Sequence, residues 1–161
     1  MVSLEAFFES IWGLKEKLGA VLMQLPASFK VNRERLDIFL QACKELTSKV
    51  GYKPDLAIEF RHDSWFCAEV YEMLEKYNVA LVIANSSKYP YVIRTTGDFS
   101  YMRFHGPKKM FHGKYTEEDL KYWRDEILTF SKSLKRVYIY FNNDLEANAI
   151  ENADYLMWLW L

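Results

Sequence analysis

The 161-residue sequence predicts an α/β domain in which parallel strands are joined by crossover helices. Two observations predict it. Short apolar, β-rich segments alternate with stretches of helical spacing, and such alternation places parallel strands in one sheet with helices packed over it. The β-rich segments also begin apolar and end polar. That pattern puts their chemistry at the carboxyl ends of the strands, where ligand sites of α/β sheets lie.

In chain order, a helix over roughly 3–18 precedes the first strand. Strands are expected at "AVLMQLP" (20–26), "DLAIEFRH" (55–62), "VALVIANS" (79–86), "SYMRFHG" (100–106) and "RVYIYFNND" (136–144). They are rich in the Tyr, Val, Ile and Phe that pleated surfaces favour. Behind Asn32, a plausible cap, Leu36, Phe39, Leu40, Cys43 and Leu46 recur at helical steps. Val70, Leu74 and Tyr77 continue a stripe behind Ser64, read as its cap. Leu120, Trp123, Ile127, Phe130 and Leu134 form a third helix, opened by Thr116 with Asp119 three residues on, a capping-box spacing. Ala149, Ile150, Ala153 and Leu156 form a fourth. The irregular stretches 87–99 and 106–115 each follow a strand and belong on the functional face, and "YPYVIRTT" offers a short strand or a crossover of its own.

With 21 basic and 22 acidic residues and a net charge of -1, the chain has no basic footprint for nucleic acid. Half its residues are apolar and 17% aromatic, which excludes a disordered chain. Cys43 and Cys67 fall in helical patterns and form no C-x-x-C pair, so they are read as reduced structural thiols of a cytosolic protein. The opening "MVSLEAFFESIW" is acidic and unlike a secretory signal, and the apolar "YLMWLWL" is too short to span a membrane. A soluble cytoplasmic protein without nucleic-acid or membrane partners is expected.

Side chains alternate between the two faces of a strand. Glu59 and Arg61 share one face; Arg103 and His105 share another; Tyr138, Tyr140 and Asn142 share a third; Gln24 sits with Leu22 and Asn85 with Ile83. These polar faces are expected to converge on Gln24, Glu59, Arg61, Asn85, Arg103, His105, Tyr140 and Asn142. Such a pocket would hold an anion on Arg61 and Arg103, with Glu59 pairing one of them because buried charges need partners. Glu59 and His105 are the candidate catalytic residues, His105 serving either as an acid–base group or as an oriented hydrogen-bonding histidine. Ion pairs that only fill and orient a sheet interior are the alternative. Glu59, His62, His105 and Asp144 have the ligand types of a zinc or manganese site, but no two have a compact metal-binding spacing and two arginines would repel a cation. No metal is expected, and the residues leave the cofactor unknown.

At "LGAVLMQLPASF", "AIEFRHDSWF", "YMRFHG" and "YIYFNND" the chain resembles the YecE-like family, domain of unknown function 72, from about Leu14 to about Ala153. The resemblance implies a TIM-type (β/α) barrel and no established reaction. Its matching positions are Gln24, Pro26, Glu59, Arg61, His62, Ser64, Trp65, Arg103, His105, Gly106, Asn142, Asn143 and Asp144. It thereby adds His62, Asn143 and Asp144 to the candidate substrate-binding residues. Asp63 departs from the proline usual after the histidine, and Glu146 stands where a glycine is frequent. Family members carry three further strands at their N-terminus. Residues 1–161 are therefore expected to form a single, incomplete TIM-type domain whose five strands correspond to strands four to eight. Open first and last strands invite self-association or a complementing N-terminal fragment. The expected function is an enzyme or enzyme fragment acting on a small anionic molecule, phosphorylated or sugar-like, at the C-terminal mouth. The alternative is a non-catalytic ligand-binding or scaffold module that associates through its sheet edges. The loops "GPKKMFHGKY" and "NNDLEA" follow the strands where TIM-type barrels often bind phosphate.

Overall fold

The computed structural model describes residues 3–49 and 53–161. One sheet of five parallel strands runs in chain order: β1 (Ala20–Gln24), β2 (Asp55–Glu59), β3 (Ala80–Asn85), β4 (Phe99–Phe104) and β5 (Arg136–Phe141). Five helices accompany it: α1 (Leu4–Ile11), α2 (Arg33–Ser48), α3 (Ala68–Tyr77), α4 (Glu117–Ser131) and α5 (Asn148–Trp158). β2, β4 and β5 stop before the polar ends of their sequence segments, ahead of Arg61, His105 and Asn142. The backbone pairing continues beyond, through Leu25 N–H to Glu59 O, His105 N–H to Asn85 O and Asn142 N–H to Phe104 O. The polar tails are thus held in place although they are not strands.

Several helix starts follow their local chemistry. Asn32 caps α2 by accepting the Arg35 N–H, and Thr116 and Asp119 form a reciprocal capping box on α4. Two expectations are corrected. The first helix does not run to residue 18; it ends at Ile11 and gives way to a 3₁₀ segment, Trp12–Lys17, broken at Lys15. Ser64 does not cap α3. It lies in a 3₁₀ turn, Asp63–Trp65, where its hydroxyl accepts the Val31 N–H, and Cys67 is the residue before α3. Between β3 and β4 residues 86–98 form neither strand nor helix. Thr96 anchors that crossover from a buried position, accepting Leu81 N–H and donating to Val79 O.

The two faces of the sheet bury different cores. Ile58, Phe60 and Leu81 pack under α2 and α3, and Ile83, Met102, Phe104, Ile139 and Phe141 pack with Leu120, Trp123 and Ile127 of α4. The opposite, inner face gathers Ala57, Ala80, Val82, Ala84, Phe99 and Tyr101 with Ala20, Leu22 and Tyr138. Small residues on β2 and β3 leave room there for tyrosines from β4 and β5. Tyr138 of β5 spans this interior: its hydroxyl donates to Asp55 Oδ2 on β2 at 2.9 Å, and a side chain at Gly19, just before β1, would meet its ring at 3.3 Å. Five strands therefore curl into a half-barrel, with β1 and β5 as its outer strands.

Candidate functional site

At the carboxyl end of the inner face, Glu59 is 1% exposed and lies between two guanidiniums. Arg61 Nε donates to Glu59 Oε1 at 2.8 Å and Arg103 Nη1 to Glu59 Oε2 at 2.6 Å. Gln24 Oε1 accepts from both, at 2.6 Å from Arg61 Nη2 and 3.3 Å from Arg103 Nη1. Asn142 Oδ1 accepts Arg103 Nε–H at 3.0 Å. Four strands and their tails supply these groups, because register places Gln24 opposite Glu59 and Arg103 opposite Tyr140 on one layer of the curled sheet. Arg61 also rests on the Tyr89 ring, 4.7 Å from its centroid, a cation–π contact that fixes its plane.

The electrostatics follow from the inventory. One carboxylate faces two guanidiniums, so the cluster carries a surplus positive charge, and both arginine side chains are only 16% exposed. Arg61 Nη1 and Arg103 Nη2 hydrogen-bond to none of the described residues. Burial pushes the Glu59 carboxyl up, but the nearby His105 imidazole, the N–H groups of Arg61 and Arg103 and the charge of Arg103 outweigh it and hold it at about 2. Glu59 therefore stays ionised near neutrality and is too weak a base to take up a proton there. His105 is the proton-carrying candidate. Its Nε2 stands 3.7 Å from Glu59 Oε1, beyond a direct hydrogen bond. It is fully buried, and neither ring nitrogen has a hydrogen-bond partner among the described residues. A buried polar group so placed costs about 1–3 kcal/mol unless something else satisfies it.

The 106–115 loop covers this histidine. The Phe111 ring meets His105 edge-on at 5.7 Å, and its N–H donates to His105 O. Gly106 makes the turn possible: its φ is +110°, and a Cβ there would lie 2.5 Å from the carbonyl oxygens of His112 and Lys109.

Of the sequence candidates, Gln24, Glu59, Arg61, Arg103, His105 and Asn142 come together, and Tyr140 joins them by stacking on Tyr101 at 4.9 Å. Four others lie elsewhere. Asn85 has the parity of Ile83 and so faces the helices, where its amide donates to Tyr91 and accepts from Tyr115; its expected place in the pocket is corrected. Asn143 is buried on that same side, donating to Gly113 O and Asn152 Oδ1. His62 turns toward Ser64 and Asp63 in the 3₁₀ turn, and Asp144 is exposed. That separation removes two of the four ligands weighed for a metal, and among the described residues no group of three His, Cys, Asp or Glu could hold one. Trp65 packs in the core, its Nε1–H donating to Phe29 O. Tyr101, Tyr89 and Phe111 were not singled out by sequence. Tyr101 shares the parity of Arg103 and was legible; Tyr89 and Phe111 sit in loops that no periodicity places.

Several cavities lie away from this cluster. One of about 380 Å³ opens at the amino ends of the strands, lined by Lys44, Lys53, Asp98, Lys135 and Arg136 among others. The cluster instead faces the concave mouth of the half-barrel, which no strand beyond β1 or β5 closes among the described residues.

Among known proteins, the family described as "Protein of unknown function DUF72" matches residues 2–160. The chain is 26% identical over 181 residues to the UPF0759 protein YunF of Bacillus subtilis (strain 168), covering 97% of this chain and 61% of that protein. A crystal structure of a DUF72 family protein from Thermotoga maritima superposes with a TM-score of 0.82 at 32% identity, covering 98% of this chain and 64% of that one. A DUF72 family protein from Enterococcus faecalis, 24% identical, shares the fold with a TM-score of 0.81 over 98% of this chain and 66% of its own. The chain thus spans less than two thirds of the length of these relatives. No described helix is long and apolar enough to cross a membrane.

Proposed function

Because this chain belongs to the DUF72 family of proteins of unknown function, whose name assigns no reaction, we propose its function from the site: it binds a small organic anion, phosphorylated or sugar-like, at the carboxyl mouth of its sheet, with His105 moving a proton. The observation that carries this reading is the buried Glu59–Arg61–Arg103 cluster, with its surplus positive charge, beside a buried histidine lacking partners among the described residues. An anion would seat on Arg61 Nη1 and Arg103 Nη2, on the same cluster that holds Glu59 3.7 Å from His105 Nε2. Glu59 then acts as a positioning residue: it fixes both arginines and lies 3.7 Å from His105 Nε2. The finer reading of the fold is a TIM-type barrel of which these five strands form one continuous part. The Tyr138–Asp55 contact across the interior favours it.

The deciding experiment is calorimetry with phosphate and sulfate at low salt, on the intact chain and on Arg103→Ala. Binding that Arg103→Ala abolishes supports the reading. No binding, or binding unchanged by that substitution, would leave the arginines as structural partners of Glu59. Unbiased metabolite screening on a longer family member, with the same substitution as control, would name the compound.

A second reading is favoured by a different observation. Ile150, Met157 and Trp158 on α5 are each more than 60% exposed, and α5 lies against the outer strand β5. An apolar helix face beside an open strand suits a ligand-binding or scaffold module that associates through its edges, with a second copy or with a complementing family fragment.

A further inference from the structure

Tyr140 is an inner-face residue at the mouth that the anion reading leaves without a task. It is 44% exposed, and its ring lies nearly parallel to that of Tyr101, at 24° and 4.9 Å between centroids. Tyr101 is itself buried, so the pair forms a rigid two-ring stack with Tyr140 outermost. An aromatic ring held this way on one side is a ready platform for a flat group on the other. Its position is set by register. Tyr140 is paired directly with Arg103 on the neighbouring strand, and both side chains project from the inner face. A ring resting on the free face of Tyr140 and an anion held by Arg103 would thus lie side by side at the mouth.

We infer that the ligand of this mouth is a ring-bearing phosphate, the flat ring stacking on Tyr140 and the phosphate held by Arg61 and Arg103. The inference rests on the anion-binding reading above and goes beyond it by naming the organic part. Acyclic phosphates would leave the Tyr140 face in water.

The test compares inorganic phosphate, methyl phosphate and phenyl phosphate by calorimetry at low salt, on the intact chain and on Tyr140→Leu and Tyr140→Phe. Stacking on an aromatic side chain is commonly worth about 1–3 kcal/mol, so phenyl phosphate is expected to bind at least roughly fivefold more tightly than methyl phosphate. Tyr140→Leu should bring the two within about twofold, and Tyr140→Phe should keep the difference. On the unaltered chain, magnetisation transfer between the Tyr140 ring and the phenyl protons gives a readout that no variant can confound. Equal affinities for methyl and phenyl phosphate, a preference that survives Tyr140→Leu, or absent transfer would overturn the platform while leaving the anion site standing. If no phosphate compound binds, the anion reading falls and the platform with it.

Discussion

Glu59 Oε1 and His105 Nε2 lie 3.7 Å apart, and both side chains are 1% exposed. A carboxylate this buried persists because two arginines neutralise it. Glu59→Gln removes the negative charge and leaves two guanidiniums uncompensated in a desolvated site. Breaking such a buried pair costs about 3–5 kcal/mol, which denaturant unfolding would resolve. A change within about 0.5 kcal/mol would place Glu59 among ordinary surface residues.

The same carboxylate should leave a signature in acid. Its pKa is lowered in the folded state from 4.5 to about 2, so its contribution is complete above the unfolded value and is lost as pH falls through the folded one. The contribution is on the order of 3 kcal/mol. Unfolding free energies measured from pH 5 down to pH 2 should therefore fall more steeply for the intact chain than for Glu59→Gln. Parallel curves would mean that the carboxyl titrates alike in the folded and unfolded chain.

Gly106→Ala tests the loop over His105. With φ at +110° and backbone oxygens 2.5 Å from the new Cβ, the loop cannot keep its path. The variant should lose about 1–3 kcal/mol, the usual cost of forcing a strained backbone conformation, and expose His105 to solvent. Faster acylation of His105 by diethylpyrocarbonate is the readout. An unchanged rate and stability would show that the loop does not depend on this turn.

Glu146 occupies a left-handed conformation, φ 59° and ψ 26°. The left-handed region costs a non-glycine residue about 1–2 kcal/mol while glycine frees the unfolded backbone by about 0.5–1 kcal/mol, so Glu146→Gly should leave stability unchanged or raise it by up to about 1 kcal/mol. Thermal unfolding measures it, and a clear loss of stability would point to a role for the Glu146 side chain.

Asn85→Ala should separate structure from site. Its amide serves the hydroxyls of Tyr91 and Tyr115 on the helix side, and Tyr115 also accepts the Gly106 N–H. Stability should drop by about 1–3 kcal/mol through unsatisfied buried groups, with phosphate affinity unchanged. Lost affinity at preserved stability would return Asn85 to the pocket.

The parallel order of the sheet and most of the polar cluster were legible in the residues alone. Alternation along a strand is a local property with a period of two residues, so the parity of Glu59 with Arg61, and of Arg103 with His105, could be read without knowing how the strands met. The Asn32 cap and the Thr116–Asp119 box were legible for the same reason: each is closed within one turn of backbone. Parity alone does not say which of the two faces is inward. Asn85 shared the face of Ile83, which tertiary packing put under the helices. Nor could Asn143, which follows Asn142 by one residue, share its face; it was sent to Asn152, while Arg103 kept Asn142. The Gln24 bridge to Arg103 joins residues 79 positions apart, and the ring of Phe111 reaches His105 only through a loop with no repeat to read. Those relations depend on the curl of the sheet, which small residues on β2 and β3 and large ones on β4 and β5 set only once they are packed against each other.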